Sequence, residues 1–122
     1  MMKTENFNNF DNSRIINGKI IHSVYLWLNN PENKNDVNQF EKAIKTLVKN
    51  TQFAKKIHLG KPANTKKRDI IENTYHYCLI FTFDSYEDEK KYQNEDAHKK
   101  FISIAKKLWK KVLVFDSFLE TI

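Results

Sequence analysis

A phenol and an imidazole stand six positions apart in Tyr92-Gln-Asn-Glu-Asp-Ala-His98, where two helical patterns meet, and the two side chains are equipped for proton chemistry. Whether they can act together is a matter of geometry. On one unbroken helix a six-residue step turns about 600°, so Tyr92 and His98 would point roughly 120° apart. They converge only if the helix breaks between them. Asn94, Glu95 and Asp96 supply such a break, with Asp96 placed as an N-cap whose carboxylate accepts backbone N–H bonds from the next helix. A broken helix can aim both rings into one cavity. The same residues also fit a core tyrosine with a satisfied hydroxyl and a histidine bonded at a helix start.

The remaining histidines, His22, His58 and His76, show no zinc-type spacing with each other or with His98, so no metal is expected and no cofactor is assigned. Cys78 is the single cysteine and sits in an apolar stretch, which excludes an internal disulfide and reads as a small buried hydrophobe.

At 122 residues the chain can bury one core but not two. No apolar run approaches the roughly 20 residues of a bilayer span, and the polar opening residues lack the apolar stretch of a secretory signal. A cytoplasmic protein without a membrane partner is expected. The net charge of +6 raises the question of nucleic acid. That charge is almost wholly Lys, with Arg only at Arg14 and Arg68, whereas phosphate and base recognition leans on the Arg fork. Lys55, Lys56, Lys61, Lys66, Lys67 and Arg68 therefore read as solvated surface, and nucleic acid is not expected as a partner.

The elements that must position Tyr92 and His98 follow from periodicity. Residues 1–18 are Asn-rich and aperiodic, a flexible or loosely docked arm ending at Gly18. Ile20 to Leu28 is β-branched and aromatic, with Ile20, His22, Val24, Leu26 and Leu28 on one face and Ile21, Ser23, Tyr25 and Trp27 on the other. Val37, Phe40, Ala43, Ile44, Leu47 and Val48 fall at helical spacing. A second strand is expected from Phe53 to about Leu59, then a polar, basic loop over residues 63–73. Tyr75 to Phe83 reads as the strongest strand, with Tyr77, Leu79, Phe81 and Phe83 on one face. Ser85 has capping-box spacing to Asp88 and opens a short helix. After the break, His98, Phe101, Ile102, Ala105, Leu108 and Trp109 share a face of a further helix, and Lys111 to Phe118 closes the chain as a strand.

The order β-α-β-β-α-β predicts an α+β, ferredoxin-like sandwich. An antiparallel sheet covered on one face by helices normally leaves its other face polar. Here that other face carries Tyr25, Trp27, Cys78, Ile80, Leu113 and Phe115. No chain is left to hide it, so pairing of two copies through the sheet face, a homodimer, is expected.

Ile21-His22-Ser-Val24, Gly60-Lys61, Phe81-Thr-Phe83, the Tyr92/His98 pair and Trp109-Lys-Lys-Val-Leu-Val-Phe-Asp116 resemble the stress-responsive A/B barrel family, known as Dabb, over about residues 20–118. The resemblance implies a dimeric α+β barrel domain over residues 19–122. It implies a pocket between helices and sheet for a small apolar or aromatic ligand, lined by His22, Val24, Leu26, Tyr77, Leu79 and Phe81. A plant member that cyclises a linear polyketide uses a Tyr and a His matching Tyr92 and His98. By that resemblance His98 would be a general base removing a proton beside a carbonyl, and Tyr92 would hold the carbonyl oxygen. The alternative reading is a non-catalytic stress-response or assembly module. Where the family commonly has His-Pro, this chain has Glu95-Asp96, and two carboxylates near His98 are expected to favour its protonated form.

Overall fold

A computed structural model describes residues 10–122; residues 1–9, the first half of the expected arm, lie outside the described residues. Residues 12–14 form a 3-10 turn capped by Asp11, whose carboxylate accepts from the Ser13 N–H at 3.0 Å. Gly18 then takes φ +114°, a left-handed conformation open to glycine, and delivers Lys19, whose N–H bonds the Phe83 carbonyl at 2.9 Å.

The elements are β1 (Ile20–Leu28), α1 (Lys34–Asn50), β2 (Ile57–Gly60), β3 (Tyr77–Phe83), α2 (Tyr86–Gln93), α3 (Asp96–Ala105) and β4 (Trp109–Phe118). The strands lie in the order β2-β3-β1-β4 and every pairing is antiparallel, a ferredoxin-like fold. Among the described residues no helix is long and apolar enough to cross a membrane.

Local chemistry sets each helix boundary. Asn33 caps α1 by accepting from the Asp36 N–H at 3.0 Å, and Phe40, Ala43, Ile44 and Leu47 make its buried stripe. Ser85 caps α2 through Oγ, which accepts from the Asp88 N–H at 3.0 Å. The helix-facing side of the sheet contributes Ile20, Leu26, Leu28, Leu79, Phe81 and Phe83 to the core, joined by Tyr92 and Phe101 from the broken helix. Phe40, Phe81 and Phe83 are wholly buried, each contributing about 1.5–3 kcal/mol by area.

Several boundaries differ from the sequence expectation. Only Ile57–Gly60 of the second strand is ladder-paired; before it the chain bonds β3 solely around Thr82, through Lys55 and Lys56. The last helix stops at Ala105, so Leu108 belongs to the turn before β4 and Trp109 opens that strand rather than either sharing a helical face, and the Asn29 N–H bonds the Leu108 carbonyl at 2.9 Å.

The third difference changes the outer sheet face. Tyr75 and His76 lie outside β3 because His76 is tied to the end of β1. Its N–H donates to the Leu26 carbonyl at 2.8 Å and its Nδ1 accepts from the Leu28 N–H at 2.9 Å, beside the register shift between Trp27 and Leu28. Tyr75 therefore turns onto the outer face against Tyr25 and Trp27. Residues 72–76 form a strap that shelters Trp27, which is 7% exposed, while Phe115, on the far side of Tyr25, is 58% exposed. The chain thus covers part of the face that was expected to be bare, and leaves the β4 side of it open.

Gly18→Ala should lower stability by about 1 kcal/mol or more, because φ is positive and an added Cβ would lie 2.8 Å from Thr82 Cβ. Urea unfolding would show the loss as a lower midpoint with an unchanged slope.

Candidate functional site

The helix breaks at Asn94, which stays near-helical, and at Glu95, which is extended at φ −64° and ψ 143°. The N-cap of α3 is Glu95 rather than Asp96, and its side chain does not cap. Its carboxylate is used across the fold: Oε1 accepts from the Thr51 hydroxyl at 2.7 Å and Oε2 from the Gln52 N–H at 2.8 Å. Thr51 is the C-cap of α1. One acidic side chain therefore fastens the end of α1 to the start of α3 and holds the break in place.

The break does what the six-residue spacing requires. The rings of Tyr92 and His98 come to 4.7 Å between centroids at 61°, edge to face. The ring of His22 stands 6.0 Å from that of Tyr92, so three proton-handling groups converge. Among the described residues, no group of three His, Cys, Asp or Glu side chains is placed to hold a metal ion.

His98 Nδ1 lies 3.2 Å from the Gln93 carbonyl. A carbonyl only accepts, so Nδ1 carries the proton and Nε2 is left with a free lone pair. Burial pulls the His98 pKa below its ordinary 6.5, and the charge of His22 acts the same way, against opposing contributions from the Gln93 bond, Glu95 and Glu89. The expected protonated state is thereby corrected, since desolvation outweighs the nearby carboxylates and Glu95 is already engaged by Thr51 and Gln52. Burial also pushes the Tyr92 phenol up, with Glu95 and Glu89 adding to it, so the hydroxyl stays a donor.

His22 Nδ1 meets Asp116 Oδ1 at 2.5 Å; a carboxylate only accepts, so the imidazole donates. Asp116 went unassigned in the sequence, although a signal was there. It pairs with His22 in register and shares the helix-side face of β4 with Val112, Val114 and Phe118. A carboxylate amid an apolar alternation, opposite a buried histidine, asks for a partner. On this helix-facing side Val114, Asp116 and Phe118 nevertheless remain exposed, while the rings of His22 and Tyr92 are buried and that of His98 is half-buried.

The other expected lining residues divide. Val24 is half-buried next to His22 on β1. Leu79 and Phe81 are packed in the core, and Phe81 meets Tyr92 at 5.3 Å between ring centroids. Leu26 pairs with Tyr77, four residues along from the His22–Phe81 pair, which puts them about 13 Å farther down the sheet. There the Tyr77 hydroxyl donates to Glu41 Oε2 at 2.5 Å, and that bond is the main cause holding the Glu41 carboxyl below its usual range.

Four antiparallel strands, helices on one face and a polar cluster at a helix break define a ferredoxin-like α+β protein. The sequence profile of the stress responsive A/B barrel domain, Dabb, matches residues 20–119, and the chain belongs to that family. No curated protein matches in sequence. Solved structures similar to it include a Dabb family protein with a ferredoxin-like fold from Mesorhizobium loti, at 17% identity, TM-score 0.68, covering 86% of this chain and 100% of that one. A dimeric ferredoxin-like protein of unknown function from Bacteroides fragilis matches at 21% identity and TM-score 0.64, over 86% and 100% of the two chains. A hydroxynitrile lyase from Passiflora edulis matches at 13% identity and TM-score 0.66, over 86% and 96%.

Two outcomes follow. Glu95→Ala should cost about 1–3 kcal/mol, seen as a lower urea midpoint, since it strips acceptors from Thr51 and Gln52. Stability should also fall as pH drops from about 6.5, where unfolded histidine titrates. Burial first, then Lys110, lowers the His76 pKa as burial lowers that of His98. Between the folded and unfolded values the unfolded chain binds more protons, so stability declines through that window and levels off below it. Urea midpoints at about pH 7.5 and about pH 5.5 measure the decline; an equally steep decline in His76→Gln/His98→Gln would contradict this assignment.

Proposed function

We propose that the chain works as a homodimer, paired through the outer sheet face, that binds a small apolar or aromatic ligand beside Tyr92 and His98. Proton abstraction of the cyclase or lyase type is the chemistry this site is equipped to do. The observation that carries the reading is the neutral His98, with Nδ1 committed to Gln93 and Nε2 free, against a Tyr92 hydroxyl that burial keeps protonated.

In that chemistry His98 Nε2 takes a proton from carbon next to a carbonyl. The C–H electron pair moves into the new C=C bond and charge passes to the carbonyl oxygen. The Tyr92 O–H donates to that oxygen as charge develops on it. His22, oriented by Asp116, lines the same space. The similar fold of a hydroxynitrile lyase supports the lyase class, and the dimeric structural neighbours support pairing.

One observation favours the second reading, a non-catalytic stress-response or assembly module. Leu26, Tyr77, Leu79 and Phe81 are packed as core, which leaves any pocket to the solvent-facing stretch by Val114 and Asp116.

The test is a panel of aromatic carboxylic acids and short polyketide mimics titrated into wild type, Tyr92→Phe and His98→Ala. The expected result is binding weakened about tenfold in His98→Ala, with any proton exchange at the ligand's α-carbon lost. Identical binding by wild type and His98→Ala would sink the site. Mass measurement in dilute solution should give twice the 14.6 kDa of one chain, and a monomer would sink the pairing.

A further inference from the structure

The helix layer carries a groove of about 380 Å³ lined by residues of α1 and α3 alone, with none from the sheet. The two helices run antiparallel, since Glu95 at the start of α3 is bonded to Thr51 at the end of α1. On α1 the groove extends from Gln39 to Asn50, about 16 Å of helix. Its floor is apolar: Ala43, Leu47 and Phe101 are buried, and Ala97 and Ile104 are half-buried. Thr46 offers no free donor there, because its hydroxyl donates to the Lys42 carbonyl at 2.7 Å. Only an apolar side chain inserted between the helices would satisfy such a floor.

The rims carry charge of one sign. Lys42 on α1 and Lys100 on α3 are exposed, no carboxylate lines the groove, and neither lysine joins an ion pair among the described residues. Lys49, also exposed, lies about 20° around the helix from Lys42 and prolongs that rim. The acids of these helices are turned elsewhere. Asp36 accepts from Asn30, and Glu41 is held by Tyr77, Lys45 and Lys61. Asp96 lines an adjoining hollow beyond Asn50 rather than the groove itself.

We infer that this groove docks a helix of another protein, about three turns long, with an aliphatic stripe along one side and Asp or Glu along its flanks. Side chains spaced at helical intervals form a ridge that seats between two antiparallel helices. The flanking carboxylates then meet Lys42, Lys49 and Lys100. A flat anionic membrane would touch the lysine tips and leave the floor unfilled. The groove lies on the opposite side of the sheet from the face through which two copies pair, so both can be occupied together. It rests on neither that pairing nor the proton-transfer reading.

Three labelled peptides of about 18 residues, beyond the length at which isolated helices are marginal, test this by fluorescence anisotropy with the full chain. One carries a Leu stripe with Glu flanks, one the same stripe with Lys flanks, and one the first composition in shuffled order. The first is expected to bind at least about tenfold tighter than the other two. Lys42→Glu/Lys100→Glu should weaken it about tenfold. Lys66→Glu/Lys67→Glu, the same change in net charge on an exposed loop, should leave it within about twofold. Thr46→Arg adds positive charge but fills the groove, and should also weaken binding about tenfold; circular dichroism checks that each variant keeps its helices. No saturable binding of the first peptide, equal affinity for its shuffled form, equal losses in the two double variants, undiminished binding by Thr46→Arg, or attachment to phosphatidylserine vesicles without peptide binding would each overturn the docking groove.

Discussion

Everything on the helix side depends on two hydrogen bonds accepted by Glu95. A helix continuing through Asn94 would carry His98 about a third of a turn away from Tyr92. The carboxylate of Glu95 instead reaches back to Thr51 and Gln52, where α1 has ended. This fixes where α3 begins, and so the direction in which its first turn presents His98. The break is thus imposed by tertiary contact rather than by a local cap, since Glu95 makes no capping bond of its own.

That arrangement also settles the electrostatics of the site. A carboxylate free to approach the imidazole would favour the cation, by roughly 1.4 kcal/mol for each unit of pKa. Both Glu95 oxygens are occupied elsewhere, and Nδ1 donates to the backbone carbonyl of Gln93. Burial of the ring outweighs the opposing effects of that bond, Glu95 and Glu89. The outcome is an imidazole with one nitrogen committed and one available, the state a base requires.

How much of this was legible in the sequence follows from the range of each interaction. The alternation in β1 and β3, and in β4 from Lys111 onward, sorts the side chains to the two sheet faces, because the side-chain period of a strand is a local property. The stripe of α1 and the Ser85 cap are local too. Glu95 could not be read, since its partners lie over forty residues away. Taking the nearest carboxylate, Asp96, as the cap follows the local rule and misses the tertiary one. Tyr75 fails in the same manner: strict alternation would put it on the helix side, but the bond from Leu28 to His76 ends the strand and turns the ring outward. His76 had no reading from its neighbours for that reason. The exposure of Val114 and Phe118 was equally hidden, because alternation tells which face a residue occupies and not how far the helices reach across it.

The two faces are linked through two strands. On β1, His22 and Val24 point to the helices while Tyr25 and Trp27 point away; on β4, Asp116 and Phe115 are neighbours with opposite facings. The β1–β4 pairing continues unbroken from Ile20↔Phe118 to Trp27↔Lys111, so the ladder that sets Asp116 opposite His22 on the helix side also sets Phe115 opposite Ser23 on the other. Adjacent residues of one paired strand thus serve opposite faces of the same sheet, and the position of the acceptor for His22 is fixed by the same register that lays out the outer face.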